Sequence, residues 1–519
     1  MTKKNAISLV WLGYAFIAAL CLVFFTESVS FPPHDFANYY FGAHFLTEGN
    51  LGTWIYFPHE FNLAIAETGT NGIFASYAPN SPFLSILFVP FTLMSLAVAK
   101  GIFNILSIAL FLISLYRLAN TFKIKPVFLF FLPIVFFIPL RNSILFGQVY
   151  LLLFVLLSEG FLAYRKKSYV KMSIFWSLAI FIKVFPVLLF AMLLFRKKWK
   201  ALGYLGTACI ILLVLSIMLT GADIWEFFTS SVLPLAGRGE ITREYVQNYQ
   251  SFQMLLAAVL DGHPILSGSL LFAFKLSLVI IGYFITARGR SALRFFSYWM
   301  IAAILLSPYG STYTQLLLIF PWILFARGRK QTRNGLVLLA VFVLVGNLPV
   351  EFFGQFQGPL AFPRLLLLLF LLAALFRRSL KRIPLKTALL IVLPVTAGYA
   401  LIAPLAVESE EIVQVRSGTP ILTYDYIIED GKLGYVYWDA NGRHKKMLER
   451  MVTSLDTTSV SIRSNQVFHG DTMMTSDPAR KRRPAVINGN TLIWLSDAKQ
   501  GIGFYRLFSK PLEVTPSAP

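Results

Sequence analysis

Charged residues are scarce in this sequence. They make up 14% of its 519 residues, against about 25% in soluble domains, whereas 56% of the residues are hydrophobic and 49 are phenylalanine. A soluble fold of this size could not cover so much apolar surface, so the composition predicts a polytopic membrane protein. Cysteine is scarce as well. Cys21 and Cys209 both lie in apolar runs, which excludes a disulfide framework and a cysteine-based metal site.

Motifs of soluble enzymes are absent. The sequence contains no glycine-rich phosphate loop, no G-x-S-x-G elbow, no H-E-x-x-H and no D-x-D pair of the type that holds a divalent metal against a nucleotide sugar. The six histidines are scattered, and His34 is expected to be a solvated loop residue. We therefore expect neither a metal nor another cofactor.

The net charge of +21 does not indicate a nucleic-acid partner, because Lys and Arg occur in short clusters between apolar runs. This is the positive-inside pattern, which marks cytoplasmic loops and makes the membrane the expected partner. The clusters are RKKSYVK at 165–171, RKKWK at 196–200, ARGRSALR at 287–294, ARGRKQTR at 326–333 and RRSLKR at 377–382.

Loop charge and the apolar runs together predict the topology. The first run, 7–25, follows a short basic start and is expected to be a retained signal-anchor. The run 82–98 contains Pro82 and Pro90 and is interpreted as a membrane-dipping or surface helix, not a crossing, which leaves about 13 membrane crossings. Residues 1–406 would form an all-α membrane domain with outer loops near 26–81 and 221–263.

The tail 407–519 is a different kind of sequence. It is polar, and the pairs Asp430-Gly431, Asn441-Gly442 and Asn488-Gly489 are typical of tight turns. Between them lie the short alternating runs KLGYVYWD, SVSIRS, NTLIWLSD and IGFYRLF, which indicate strands. We expect a small β-rich extracytoplasmic domain. One stretch is faintly similar to a blade of a TolB-like propeller, but about 110 residues cannot close a propeller, so consecutive hairpins are expected.

Four polar residues stand inside or beside apolar runs, where an ionisable group is costly and usually faces a cavity with a function. They are Asp35, Gln148, Lys183 and Arg364. Simpler interpretations exist: Asp35 as a loop carboxylate, Gln148 as a helix cap, Lys183 as a snorkelling residue, and Arg141 and Arg364 as interfacial anchors. The charge pattern places all of them on the outer side. Together they favour group transfer from a lipid phosphate, with a carboxylate as base and cations stabilising the phosphate.

Six segments carry a resemblance to a known enzyme family. They are DFANYYFGAHFLTEGN, YAPNSPFLSILFVPFTLMSLAVAKGIFNILS, FGQVYLLLFVLL, IFIKVFPVLLFAMLLFRKKWKAL, NYQSFQMLL and SPYGSTYTQLLLIFP, in this order. From about residue 7 to about residue 380, the chain resembles the polyprenyl-phosphate-mannose-dependent α-1,2-mannosyltransferases, which are class C glycosyltransferases with a multi-helix membrane fold.

The resemblance implies roles for individual residues. In class C enzymes the first outer loop carries the acidic general base, and the matching residue is Asp35. The second outer loop would contribute to the site as well. The family often has a histidine-containing segment after Ser-Pro, whereas this chain has YGSTYT at 309–314, so Tyr313 is the hydrogen-bonding candidate there. The predicted substrate-binding residues are Tyr39, Tyr40, Asn142, Gln148, Lys183, Asn248, Gln250, Ser251, Tyr313 and Arg364.

We therefore expect an inverting glycosyltransferase in an inner (plasma) membrane, with a cytoplasmic N-terminus and an extracytoplasmic C-terminal domain. The donor would be a polyprenyl-phosphate-linked sugar, with mannose the expected sugar, and the acceptor a hydroxyl of a lipid or glycan. Two alternatives stay open. One is a transporter or flippase of lipid-linked sugars, whose cavity should carry polar groups on both leaflets. The other is a class C transferase for another lipid-linked sugar, such as arabinose.

Overall fold

The computed structural model of the chain divides into two compact units, and all described strands lie in the second. The described residues are 3–70, 72–237, 249–260, 263–328, 333–349, 356, 358–381, 383, 385–402, 410–411, 422–439, 442–477, 479–498 and 501–512.

The described helices account for most of the chain before residue 403. They are α1 (Lys3–Ser30), α2 (His34–Thr47), α3 (Pro58–Glu67), α4 (Phe83–Phe88), α5 (Leu96–Phe122), α6 (Pro126–Val135), α7 (Phe137–Leu145), α8 (Tyr150–Arg165), α9 (Tyr169–Ile182), α10 (Leu188–Phe195), α11 (Trp199–Thr220), α12 (Ala222–Phe227), α13 (Leu233–Gly237), α14 (Phe252–Val259), α15 (Pro264–Arg288), α16 (Ala292–Leu306), α17 (Ile319–Gly328), α18 (Arg333–Asn347), α19 (Pro363–Leu380) and α20 (Leu385–Ile402). Short 3-10 or π turns occur at Thr53–Tyr56, Val89–Leu93, Phe185–Val187, Phe228–Val232, Thr312–Leu318 and Gly358–Ala361.

Four described helices are long and apolar enough to cross a membrane: α1, α5, α11 and α15. The count becomes five if α6 and α7, which are bent by 59° where they meet, form one span. Five shorter apolar helices have 10–17 residues, at Phe83–Leu93, Tyr169–Ile182, Phe185–Phe195, Ala292–Leu306 and Gly335–Asn347. A mostly helical chain with several membrane-capable helices is confirmed, whereas the count of about 13 crossings stays a prediction.

The structure divides several apolar segments that are continuous in hydropathy. The run 82–98 is not one helix, because α4 ends at Phe88 and α5 begins at Leu96, with Lys100 buried inside α5. The left-handed backbone of Gly147 separates α7 from α8. A further break lies at IKVFP, 182–186: α9 ends at Ile182, and α10 begins after a 3-10 turn.

The helix α8 lies at the centre of the first unit. Every residue from Tyr150 to Tyr164 except Leu152 is buried, which explains the continuous apolar sequence of the helix. It packs closely on α9 at Gly160, where an added Cβ would lie 2.2 Å from Cδ1 of Trp176. The sequence therefore needs glycine at this position.

The second unit contains described residues of 51–79, 223–237 and 410–512, with all eleven described strands. These strands are β1 (Glu410–Glu411), β2 (Leu422–Glu429), β3 (Lys432–Asp439), β4 (Gly442–Met451), β5 (Leu455–Asp456), β6 (Val460–Arg463), β7 (Gln466–His469), β8 (Thr472–Met473), β9 (Lys481–Ile487), β10 (Thr491–Ser496) and β11 (Arg506–Pro511). They form three antiparallel sheets, with the orders β1-β11-β10-β9-β5, β2-β3-β4 and β6-β7-β8.

The consecutive hairpins expected from the turn pairs are confirmed. Asp430-Gly431, which joins β2 to β3, and Asn488-Gly489, which follows β9, all have positive φ values. Asn441 lies outside the described residues. The run IGFYRLF was expected to be a strand throughout, but β11 begins only at Arg506. Its first residues form a loop because Gly503, with a φ of 73°, packs directly on Phe57 and Pro58.

Alternation along β10 explains why this strand is apolar on both sides. Ile493 and Leu495 belong to a core with residues of the β2-β3-β4 sheet. Leu492 and Trp494 belong to a second core with residues of β6 and β7. Since neighbouring strand side chains point to opposite faces, the five-stranded sheet is covered on both faces.

Arg480 joins the strand region to the helical segments of the same unit. Its guanidinium carbon lies 4.5 Å from the ring centroids of both Phe57 and Phe227. Its backbone N–H donates to Asp497 at 2.8 Å, and the same carboxylate accepts from the N–H of Gly503 at 3.1 Å. Burial raises the pKa of Asp497 above its usual value.

Candidate active site

Asp35 lies in the first turn of α2, directly after the end of α1. Pro32 and Pro33 separate the two helices, since proline lacks the N–H that would continue α1. Pro33 precedes the first residue of α2, and its carbonyl accepts from the N–H of Ala37 at 2.7 Å. A carboxylate in the first turn of a helix is favoured by the helix dipole. The local sequence thus determines the position of the Asp35 carboxylate at the start of α2.

Gln148 follows a glycine-dependent helix end. Gly147 has a φ of 66°, its N–H donates to Ile144, and the N–H of Gln148 donates to Ser143 at 2.8 Å. These bonds form a Schellman motif at the end of α7. A Cβ on Gly147 would lie 2.9 Å from the Cβ of Phe36 in α2. This close approach places Gln148 beside the first turn of α2.

A hydrogen-bonded chain links Tyr39, Gln148 and Asp35. The Nε2 group of Gln148 donates to Oδ2 of Asp35 at 2.6 Å, while its Oε1 accepts from the hydroxyl of Tyr39 at 2.8 Å. The orientation of the amide follows from chemistry, because a carboxylate only accepts and the tyrosine hydroxyl supplies the other proton. Tyr39 and Gln148 are buried, so this chain orients the carboxylate.

Lys183 stands at the break between α9 and α10, where the backbone is extended. Its ammonium donates to Oδ1 of Asn80 at 3.0 Å and lies 5.8 Å from the ring centroid of Tyr150. That ring packs against Tyr313, with 4.9 Å between centroids. A cation at this break is therefore held by an amide and an aromatic face, without a carboxylate in hydrogen-bond contact among its described partners.

These residues lie in one cluster. Asp35 lies within electrostatic range of the ammonium groups of Lys100 and Lys183 and of the hydroxyl of Tyr313. The hydroxyls of Tyr39, Tyr150 and Tyr249 lie near that of Tyr313. The cluster thus combines one carboxylate, two cations, an amide and several tyrosines, all within the first unit.

Two further predicted residues, Tyr40 in α2 and Asn142 in α7, form hydrogen bonds with neighbouring elements. The hydroxyl of Tyr40 donates to the carbonyl of Met94 at 2.9 Å, which ties α2 to the turn before α5. Asn142 donates to Oγ1 of Thr312 at 2.8 Å, which ties α7 to the 3-10 turn that carries Tyr313. In this structure both side chains connect elements that carry the cluster.

Gln250, which was predicted in the second outer loop, belongs to a separate group of hydrogen bonds with Arg364. Gln250 donates to the carbonyl of Ala361 at 2.9 Å and accepts from the N–H of Arg364. Arg364 is fully buried and donates to the carbonyls of Val345 and Leu348 at the end of α18, which also suits the helix dipole. These partners give Gln250 and Arg364 a role in holding the chain together.

The other two residues predicted there are Ser251 and Asn248. Ser251 caps α14, since its hydroxyl accepts from the N–H of Met254 at 3.2 Å. Asn248 lies outside the described residues.

Three residues of the cluster are not among those predicted from the sequence. Asn80, in YAPNSP, contacts Lys183, and Tyr150 lies directly after FGQV. Lys100 donates to the carbonyl of Ser28, in the last turn of α1, at 2.9 Å and to the carbonyl of Phe31, the first residue beyond α1, at 3.0 Å. The sequence signal that could have indicated Lys100 is a lysine within an apolar stretch, where an ionisable group is costly.

One comparison with known proteins indicates a class of enzyme. The model of glycosyltransferase family 87 matches residues 79–308. This match indicates a membrane glycosyltransferase. It spans Gln148, Lys183 and Gln250, whereas Asp35 precedes it and the β-rich tail follows it. No match was found among curated proteins or among solved structures.

The cluster can perform an acid–base step next to a bound anion. The carboxylate can accept a proton from a hydroxyl, and the cations can stabilise negative charge on a phosphate. No group of three or more His, Cys, Asp or Glu side chains in the described part of the chain is arranged to hold a metal ion.

Proposed function

We propose that this protein transfers a sugar, mannose, from a polyprenyl-phosphate donor to a hydroxyl of a lipid or glycan acceptor at the outer face of the inner membrane. The family match supports the enzyme class, and the resemblance to polyprenyl-phosphate-mannose-dependent enzymes supports the donor. The observation that carries the proposal is the Asp35 carboxylate, held by Gln148 and sharing a cluster with Lys183.

The reaction is a single displacement with inversion. Asp35 accepts the proton of the acceptor hydroxyl as its oxygen bonds to the anomeric carbon of the sugar. The bond from that carbon to the phosphate oxygen breaks, and the lipid phosphate leaves with the electron pair. Lys183 stabilises the charge that develops on this leaving group. Gln148 fixes the carboxylate, since both ends of its amide are used by Asp35 and Tyr39.

The charge pattern of the loops supports the outer location. The basic clusters lie at the ends of α8, α10 and α15, whereas Asp35 follows α1 and Lys183 lies at the opposite end of α9 from the cluster 165–171. A lipid-linked donor is reached from within the membrane, so a site of this type needs no nucleotide pocket.

Asp35→Asn tests the proposal. The substitution keeps the shape and an oxygen that can accept from Gln148, but removes the base, so turnover should fall by about 100-fold or more. Donor binding should change little. The assay is product formation by the purified full-length protein with synthetic polyprenyl-phosphate mannose, followed by mass spectrometry.

Glu48→Gln is the matched control for this test. Glu48 caps the C-terminal end of the same helix; its carboxylate lies 3.2 Å from Nε2 of His44, and half of its side chain is exposed. Its loss should leave turnover near that of the unmodified protein. Full turnover in Asp35→Asn would remove the proposed base. Turnover with polyprenyl-phosphate arabinose in place of mannose would reassign the sugar.

A further inference from the structure

A cavity of about 300 Å³ lies between α5, α8 and α9, apart from the candidate active site. It is lined by Arg117, Glu159, Lys171, Ile174 and Phe175. Its charged residues form no part of the proposed transfer reaction.

On α5 and α9, the cavity and the candidate active site lie toward opposite ends of the helix. On α9, Lys171 is in the first turn and Lys183 follows the last residue, so the two are separated by roughly 18 Å along the helix. On α5 the order is reversed: Lys100 is near the start and Arg117 is near the end. The basic clusters at this end mark it as cytoplasmic, whereas the candidate site faces outward.

Glu159 is a buried carboxylate in an otherwise apolar helix, and such a residue suggests a function. Its Oε2 pairs with Arg117 at 2.8 Å, and its Oε1 accepts from the hydroxyl of Ser114 at 3.0 Å. These contacts neutralise Glu159 and hold one edge of the Arg117 guanidinium. Half of the Arg117 side chain is still exposed, so other N–H groups of this residue stay available.

Lys171 adds a second cation at the cavity. It is exposed and makes no ion pair among the described residues. A structural ion pair between Arg117 and Glu159 explains those two residues, but it explains neither Lys171 nor the cavity. With two cations and one carboxylate, the lining has a net charge of +1, which is complementary to a single phosphodiester.

We propose that this cavity binds the phosphate of an anionic phospholipid from the cytoplasmic leaflet. Basic pockets between membrane helices on this side are suited to lipid headgroups. Arg117 and Lys171 donate to the phosphate oxygens, and Glu159 positions Arg117. Ile174, with 51% of its surface exposed, and Phe175 provide the apolar wall for the glycerol and upper acyl chains.

The test measures lipid binding to the delipidated full-length protein by native mass spectrometry. Phosphatidylglycerol should bind, whereas diacylglycerol, which lacks the phosphate, should not. The double variant Arg117→Gln/Lys171→Gln should bind phosphatidylglycerol about 25-fold more weakly, because each basic residue contributes a factor of about five near an anionic lipid. Lys166→Gln is the matched control. Lys166 is exposed and follows α8, but it does not line the cavity.

Lys171→Gln alone keeps the test valid if the double variant unfolds, since Lys171 is exposed and has no described ion-pair partner to lose. This variant should show about a fivefold loss that Lys171→Arg restores. Equal affinities of Lys171→Gln and Lys171→Arg for phosphatidylglycerol would overturn the proposal. So would equal binding of diacylglycerol and phosphatidylglycerol, or displacement of the lipid by millimolar inorganic phosphate.

Discussion

Replacing Gln148 by leucine should expose the contribution of the hydrogen-bonded chain to catalysis. Leucine keeps much of the volume but removes the donor to Asp35, at 2.6 Å, and the acceptor for Tyr39, at 2.8 Å. A hydrogen bond to a charged group contributes about 1.5–3 kcal/mol. If this stabilises the ionised carboxylate, its loss should move the acid limb of the rate profile to higher pH by about one to two units.

The sign follows from the direction of the hydrogen bond. An N–H that donates to a carboxylate favours its charged form, so removing the N–H favours protonation. The base is active only when ionised, and activity should therefore be lost at a higher pH as the solution is acidified. At the optimum, turnover should still fall by about 10- to 100-fold, because the carboxylate loses its orientation.

The measurement is the turnover of Gln148→Leu with saturating donor from about pH 4 to pH 9. Tyr39→Phe is the control, since it removes only the bond at the far end of the amide. It should lower turnover modestly and leave the acid limb in place. An acid limb that does not move in Gln148→Leu, or that moves equally in both variants, would refute a direct action of Gln148 on Asp35.

Three further predictions concern other parts of the structure. Lys183→Met should raise the donor KM or lower kcat by a factor that corresponds to about 2–4 kcal/mol, whereas full turnover would make Lys183 an anchor only. Gly147→Ala should lower the thermal unfolding temperature, because the left-handed backbone and the 2.9 Å approach to Phe36 leave no room for a Cβ. Burial raises the pKa of Asp497, so the charged form of this residue lowers the stability of the folded tail near neutral pH. Acidification toward that pKa should therefore make the tail more resistant to proteolysis. Asp497→Asn should abolish this pH dependence.

Local signals in the sequence were sufficient for much of the fold. The turn pair Asp430-Gly431 located a hairpin because a left-handed backbone is required at both residues, and KLGYVYWD coincides with β3. The break at IKVFP was predictable because Pro186 cannot donate within a continuous helix. Lys100 was not predictable in this way, because its place inside α5 depends on carbonyl groups of another helix.

In the candidate site too, contacts between distant parts of the chain could not be predicted from local sequence. The sequence selected Asp35 and Gln148 separately, the first by its loop and the second by its position before an apolar helix. Their hydrogen bond is a tertiary contact, set by the approach of Gly147 to Phe36. No local pattern contains that information. The sequence predicts Gln148 as a substrate-binding residue, and in this structure both ends of its amide contact other protein side chains.

The position of Arg480 between Phe57 and Phe227 has a consequence for biogenesis. The ribosome makes Phe57 early, Phe227 midway and Arg480 near the end, so the second unit cannot be completed until synthesis is almost finished. Until then both phenylalanines lack the cation that covers them, and they offer an apolar surface to chaperones and proteases. Chains that terminate prematurely within the tail should accordingly be degraded, which makes this contact a checkpoint for full-length protein.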